Sequence, residues 1–382
     1  MKDISKIERY LNHLIANSTP PKPAWNKEAL LEDHAPKWNY IDGCMIKAVV
    51  DMYHATKEEK YITFAESFVD YYVREDGSIL GYSVEELNCD NINPGKVLFP
   101  LYDYSQKEKY KKALDLLYSQ IQVQPRTKGG NFWHKKIYPN QIWLDGLYMV
   151  QPFYLEYEKR FNKYRNYLDV FNQFEKVYQL MRDQTTGLFY HGYDENKEMF
   201  WANPATGLSQ NFWTRSLGWY AMALSDTLAV MDEQFFLEYR TLQIHLKELL
   251  DSLLAFQDKE TKLFYQVTDQ GDTPGNYLET SGSAAIAYAL IKGANENHLP
   301  VEYFAYGAEI LDSLANNKLI ERNGILVLQD ICLVAGLGGM PGKGDYKLRD
   351  GSFAYYVSEP IVADDAKGVA PFLFGTAAYL SM

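Results

Sequence analysis

Residues 216–231 read SLGWYAMALSDTLAVM, a helix-length segment with one charge, Asp226, and apolar or small side chains on every face. A surface helix keeps one polar face for water, so a segment like this must be surrounded. Five other stretches share the pattern: YIDGCMIKAVVDMY (40–53), NPGKVLFPLYDYS (93–105), the segment opening at Asp145, SGSAAIAYALIKG (281–293) and GVAPFLFGTAAYL (368–380). Between them fall amphipathic segments at 4–16, 60–74, 109–123, 167–182, 238–256 and 302–316, with their charges on one face. Six charged-face helices alternating with six apolar ones make an internal repeat. An inner ring of six inside an outer ring of six accommodates it, so the sequence predicts an all-α (α/α)6 barrel. A linear helical solenoid would need repeats more even in length than these. No Pro/Gly/Ser-rich linker breaks the pattern, and a single domain over 1–382 is expected.

The connections carry the next signal. Links from an apolar helix to the following amphipathic one are short, whereas the reverse links, around 74–92, 125–141, 185–215 and 258–280, are long. In an alternating barrel the long links emerge at one end, which is therefore the expected active face. Asp145 lies where such a link enters an inner helix, in QIWLDGLYMVQPFYLEY (141–157). Asp90, His134, Lys135, His191, Trp213, Arg215 and Trp219 belong to the same face by the same argument.

Composition excludes several functions. The chain has 382 residues, 47% of them hydrophobic, which is ample for a large core. Its net charge of -12 is spread out and no Lys/Arg cluster occurs, so neither nucleic acid nor an anionic membrane is an expected partner. No apolar run approaches the roughly 18 residues of a membrane span, and the N-terminal segment has no signal-peptide core. A cytoplasmic location is expected. The three cysteines, Cys44, Cys89 and Cys332, are far apart, and no HExxH or other ligand spacing is present, so disulfides, metal and cofactors are not expected. The pair Asp364–Asp365 reads as a solvated loop sooner than a calcium site. GLGGMPGKGD (336–345) fails the phosphate-loop spacing and reads as a loop or lid. Nothing in the chain specifies oligomerisation, and a monomer or weak homo-oligomer is expected.

A carboxylate at the mouth of an aromatic pocket is a general acid/base candidate, because burial and a neighbouring carboxylate raise its pKa while a helix N-terminus lowers it. For Asp145 the alternative is a helix N-cap, and for Asp90, in NCDNINPGK, a turn or cap residue. His134 and His191 stand in long links among aromatic residues, unlike His13, His34, His54, His245 and His298. Arg215, between Trp213 and Trp219 in FWTRSLGW, is suited to gripping a carboxylate while the rings stack on the rest of the molecule. Core packing of both tryptophans with a snorkelling Arg215 is the alternative. The 31 tyrosines fit either a ring-lined groove or an aromatic core.

WNYIDGCMIKAV, DNINPGK, WLDGLYMVQPFYLEY, HGYD, FWTRSLGWYAMAL, LETSGSAAIAYAL and YYVSEPIVADDAKGVAPFL together resemble successive motifs of glycoside hydrolase family 105, the unsaturated rhamnogalacturonyl hydrolases. The resemblance runs over nearly the whole chain and implies the same (α/α)6 barrel. It implies a substrate left by pectin lyases, an acidic oligosaccharide with 4,5-unsaturated galacturonic acid at its non-reducing end, and a reaction that hydrates that double bond. Asp145 is then the acid that protonates C4 and afterwards the base that activates water, and Asp90 is the second carboxylate. His191, Arg215, Trp213 and Trp219 would line the unsaturated-sugar site, with His134, Lys135 and Tyr40 as further contacts. Cys89, before Asp90, departs from the apolar residue expected there. The nearest alternative is an unsaturated glucuronyl hydrolase; an epimerase on the same barrel and a non-catalytic carbohydrate-binding barrel are the others.

Overall fold

The computed structural model describes residues 4–32, 35–338 and 348–382. Most of the 336–345 stretch, and His34, lie outside the described residues. Helix α1 (Ile4–Ala16) and the short α2 (Lys27–Glu32) precede five inner–outer pairs: α3 (Tyr40–Thr56) with α4 (Glu59–Tyr72), α5 (Leu98–Ser105) with α6 (Glu108–Val123), α7 (Leu144–Phe161) with α8 (Tyr167–Met181), α9 (Thr214–Val230) with α10 (Phe236–Ala255), and α11 (Thr280–Asn295) with α12 (Glu302–Ser313). The short α13 (Phe353–Ser358) and then α14 (Ala366–Leu380) follow. Asn93–Val97 winds as a 3₁₀ turn ahead of α5, with Pro94 in its first turn, where a missing N–H costs nothing.

The inner ring closes. Helix α3 packs on the Asn93–Val97 turn, that turn on α7, α7 on α9, α9 on α11, α11 on α14 and α14 back on α3. This is the (α/α)6 barrel. Close approach of α9 and α11 is possible because glycines face each other: a Cβ on Gly218 would lie 2.7 Å from the Ala285 methyl, and one on Gly282 would lie 2.6 Å from Thr214 Cγ2. The outer helices bury one stripe only. Helix α8 turns Val170, Gln173, Phe174, Val177 and Met181 inward, at the three-and-four spacing of a single helical face. Helix α1 completes the outer layer and is tied to the far end of the chain, with Lys6 donating to the Ala315 and Leu319 carbonyls and the Tyr10 hydroxyl to Asp364 (2.6 Å).

Short links (57–58, 106–107, 162–166, 231–235, 296–301) lie at the C-terminal ends of the inner helices, and long links at their N-terminal ends. The long links also hold short antiparallel pairs that the sequence does not announce. Strand β1 (Gln141–Trp143) pairs with β2 (Gly192–Asp194), with Trp143 opposite Gly192. Three residues are too few to display a period of two, so no alternation betrays them. The pairing matters because it holds the entry to α7 against the loop that carries His191. Among the described residues no helix is long and apolar enough to cross a membrane.

Candidate active site

Asp145 sits in the first turn of α7. It is not the N-cap, which is Trp143, whose side chain makes no capping bond, so the capping alternative for Asp145 falls. The Leu144 N–H instead donates to the His191 carbonyl at 3.1 Å, anchoring the helix start to the neighbouring loop. The same histidine turns its ring to the carboxylate: His191 Nε2 lies 3.2 Å from Asp145 Oδ2. The two atoms are at ion-pair distance but off the line of a hydrogen bond, and each is buried with no hydrogen-bond partner. Buried polar atoms are nearly always paired, and a facing pair left open marks a place where a third group is received.

Burial pushes the Asp145 carboxyl upward. The contact with His191, the charges of His191 and His134 when protonated, and the helix-start N–H outweigh it, so the net position is below the ordinary carboxylate range. Asp90, expected to raise it, is not among the charges that set it. Its own charge is already engaged by Lys135 Nζ at 2.6 Å, with His134 Nε2 3.6 Å away. The Lys135 ammonium is correspondingly held above its usual range despite burial, which lowers it. Cys89 turns its thiol to the Trp133 carbonyl (3.3 Å), away from this carboxylate.

Rings link the two carboxylates. His134 stacks on Trp143 with centroids 4.7 Å apart, and Trp143 presents an edge to His191 at 5.5 Å. Gly146 is required at the start of α7, since a Cβ there would lie 3.0 Å from His134 Nδ1. Burial pushes His134 down to about 4, so it is neutral near pH 7.

Beyond His191 the chain of contacts continues to Trp213 (4.9 Å between centroids), whose indole N–H donates to Gln266 and whose ring lies 4.7 Å from the Arg215 guanidinium. Arg215 is buried, 2% exposed, and so does not snorkel. It donates to Ser281 Oγ (3.3 Å) and to the carbonyls of Cys332 (2.5 Å) and Leu333 (3.5 Å), while its Nε has no partner. It forms no ion pair with any described carboxylate; the nearby Glu279 spends its oxygens capping α11 and on the Cys332 N–H. No described carboxylate touches the guanidinium directly, although against burial the charges of Glu279 and Asp365 hold it above its ordinary range, and an incoming carboxylate would supply the direct partner. Half-buried Tyr40, first in α3, has Glu28, Asp90 and Arg215 among the charges around its phenol and so stands between the two halves of the site.

The structure thus joins Asp90, His134, Lys135, Asp145, His191, Trp213 and Arg215 through direct contacts and places Tyr40 beside them. Trp219 is the exception. It lies a turn deeper in α9, stacks on Tyr148 at 4.9 Å and belongs to the main core, which is the packing alternative for that residue. Sequence reasoning passed over Trp143 and Tyr356, whose hydroxyl lies 2.7 Å from His191 Nδ1. Trp143 had a usable signal, standing two residues before Asp145. Tyr356, on the six-residue α13, had none.

No group of three metal-ligating side chains occurs among the described residues. Asp364 and Asp365 are not a solvated loop either. Asp364 accepts from Tyr10 and from the Leu328 N–H, and buried Asp365 caps α14 and pairs with Lys367 at 3.1 Å.

Comparison with known proteins agrees with this geometry. The family model described as Glycosyl Hydrolase Family 88 matches residues 15–382. A solved C. acetobutylicum glycoside hydrolase from family 105 is 41% identical, with a TM-score of 0.87 over 98% of this chain and 100% of that one. Protein Atu3128 of Agrobacterium fabrum is 38% identical over 60% of this chain and 97% of its own length. The unsaturated rhamnogalacturonyl hydrolase YesR of Bacillus subtilis is 26% identical over 75% of this chain and 78% of its own. An unsaturated glucuronyl hydrolase specific for heparin shares the fold at 14% identity and a TM-score of 0.65. With the barrel, the motif order and the family model in agreement, the chain belongs to the glycoside hydrolases of the family 88 and 105 group.

Proposed function

We propose that this protein releases 4,5-unsaturated galacturonic acid from the non-reducing end of unsaturated rhamnogalacturonan oligosaccharides by hydrating the C4=C5 double bond. One observation carries the reading: a buried Arg215 with no described carboxylate at ion-pair distance shares a ring-walled site with an open Asp145–His191 pair. An unsaturated uronate brings what both lack, a carboxylate for the guanidinium and an electron-rich carbon for the acid. Asp145 gives its proton to C4, and the resulting cation at C5 is captured by a water whose proton returns to Asp145. The C5 hemiketal then opens, and collapse at C1 expels the remaining sugar with its proton. No carboxylate nucleophile is needed, so the Asp90–Asp145 separation does not encode retention or inversion. Asp90, clamped by Lys135 and His134, serves as a hydrogen-bond acceptor for sugar hydroxyls, with Tyr40 beside it.

Protonating Asp145 needs a counterweight to His191. The substrate's own carboxylate supplies it, since a second negative charge entering a dry site favours the neutral acid. The pectin-derived substrate is favoured by the family 105 motif order and the YesR relationship. The test follows the ultraviolet absorbance of the enol-ether band while purified protein meets unsaturated rhamnogalacturonan disaccharide, beside Asp145→Asn. Absorbance should fall with the wild type and stay flat with the variant. A flat trace from the wild type, with decay on the unsaturated glucuronyl disaccharide instead, would move the substrate to glycosaminoglycan products. Flat traces on both would remove the hydration reading.

A further inference from the structure

We infer that Tyr356 is a positioning residue: its phenol fixes His191 in the tautomer that carries its hydrogen on Nε2, so that an N–H, not a lone pair, faces the acid/base carboxylate. The inference rests on the proposed role of Asp145 for its kinetic consequence but not for its structural content. Tyr356 is fully buried and lies on α13, with its hydroxyl 2.7 Å from His191 Nδ1. That nitrogen is the hydroxyl's only hydrogen-bond partner among the described residues. A buried phenol O–H is stabilised by donating, and the one hydrogen-bonding atom within its reach is an imidazole nitrogen that can accept. Nδ1 therefore accepts and is bare of hydrogen, and the neutral ring carries its hydrogen on Nε2, 3.2 Å from Asp145 Oδ2.

Three elements far apart in sequence thus form one line: α13, the loop after α8, and the first turn of α7. The other charged or titratable groups facing it are known. His134 and Lys135 face Asp145 from the loop before α7, and Tyr355, Cys332 and Asp350 surround the phenol. None of them reaches a His191 ring nitrogen: Asp145 faces Nε2 and favours an N–H there, and Tyr356 is the group that keeps Nδ1 bare. Trp213 and Trp143 both contact the imidazole, at 4.9 Å and 5.5 Å between centroids, and confine the buried ring. An N–H toward Asp145 favours its carboxylate form; a bare Nε2 would instead accept a hydrogen bond from the carboxylic O–H and favour the acid form. Removing the phenol O–H frees the ring to adopt that second tautomer.

Two variants test this in opposite directions. Tyr356→Phe deletes the donor, and replacing Tyr356 with 3-fluorotyrosine, a nearly isosteric change, strengthens it. In ¹⁵N spectra of labelled free protein, wild-type His191 should show a pyridine-like Nδ1 and a pyrrole-like Nε2. The Phe variant should show averaging of the two signals, and the fluorotyrosine protein should keep the wild-type pattern. In the absorbance assay, the limb of the pH profile on which activity falls with rising pH should move up by about half to one pH unit for Tyr356→Phe and down for the fluorotyrosine protein. The shift should exceed any change in KM. Identical ¹⁵N patterns in all three proteins would overturn the inference, whatever the substrate. So would a pyrrole-like Nδ1 in the wild type. If the Phe variant does not fold, the fluorotyrosine pair decides: an unmoved pH limb counts against the inference. Should the protein act on neither disaccharide while the ¹⁵N pattern holds, the substrate assignment fails and the tautomer assignment stands.

Discussion

Replacing Arg215 with methionine should separate function from stability. In the unliganded protein the guanidinium gives two carbonyls and a hydroxyl their donors, and its removal leaves the Cys332 and Leu333 carbonyls short, a loss of about 1–2 kcal/mol. Against this stands relief from desolvating the charge, a cost that Glu279 and Asp365 already offset from beyond ion-pair distance. Methionine fills much of the same volume with a flexible apolar chain. The net change in unfolding free energy should therefore stay within about 2 kcal/mol of zero. Activity should not be spared. A substrate carboxylate held through two charge-assisted bonds gains about 1.5–3 kcal/mol from each, so losing both should lower kcat/KM by roughly 10²- to 10⁴-fold. Urea unfolding and the absorbance assay on one preparation give both numbers. The reasoning is refuted if activity stays within about fivefold of wild type, or if stability falls by more than about 4 kcal/mol, which would make Arg215 a structural pin.

Two further perturbations follow from the packing. Burial raises the Asp42 carboxyl, which accepts from Trp25, Asn26 and Asn39, to about 6 from an ordinary 3.8. Because the folded chain binds this proton more tightly than the unfolded one, its contribution to stability is present below about pH 4 and lost as pH rises through about 6. Between those limits Asp42→Asn should gain about 3 kcal/mol relative to wild type, read from urea midpoints at about pH 4 and about pH 7; an unchanging gap would contradict it. In Gly282→Ala the new methyl would meet Thr214 Cγ2 at 2.6 Å and the Arg215 backbone nitrogen at 3.0 Å. A loss of about 1–3 kcal/mol in stability is expected, with weakened substrate binding because the start of α9 must move, and a variant as stable and active as wild type would show that the two helices give way freely.

The barrel is readable in the sequence because its two rings obey different solvents. Helix α9 has no polar face, α8 has one, and that contrast repeats six times. The membership of the site was mostly readable for a related reason: alternation sends every long link to one end, which brings Asp90, His134, His191 and Arg215 together with no knowledge of their contacts. What could not be read is what depends on angle and depth. Trp219 lies four residues after Arg215 and so shares its helical face, yet one turn carries it below the mouth and against Tyr148. The direction in which Asp145 titrates depends on a ring from another loop, and the state of that ring depends on a hydroxyl from a third. A helix of six residues is too short to show a period that announces which way its side chains point, and Tyr356 lies on one.

The closing of the ring by α14 has a consequence for how the protein is made. This helix is the last of the six to leave the ribosome, and it packs against both α3 and α11. Until it emerges, a nascent chain holds a five-sided shell with an open seam, greasy along both lips and prone to capture by other chains. Emergence of α14 is therefore the step that withdraws the seam from solvent, and a chain stopped before residue 366 would be destined for chaperones or proteolysis even though its candidate site residues had all been made.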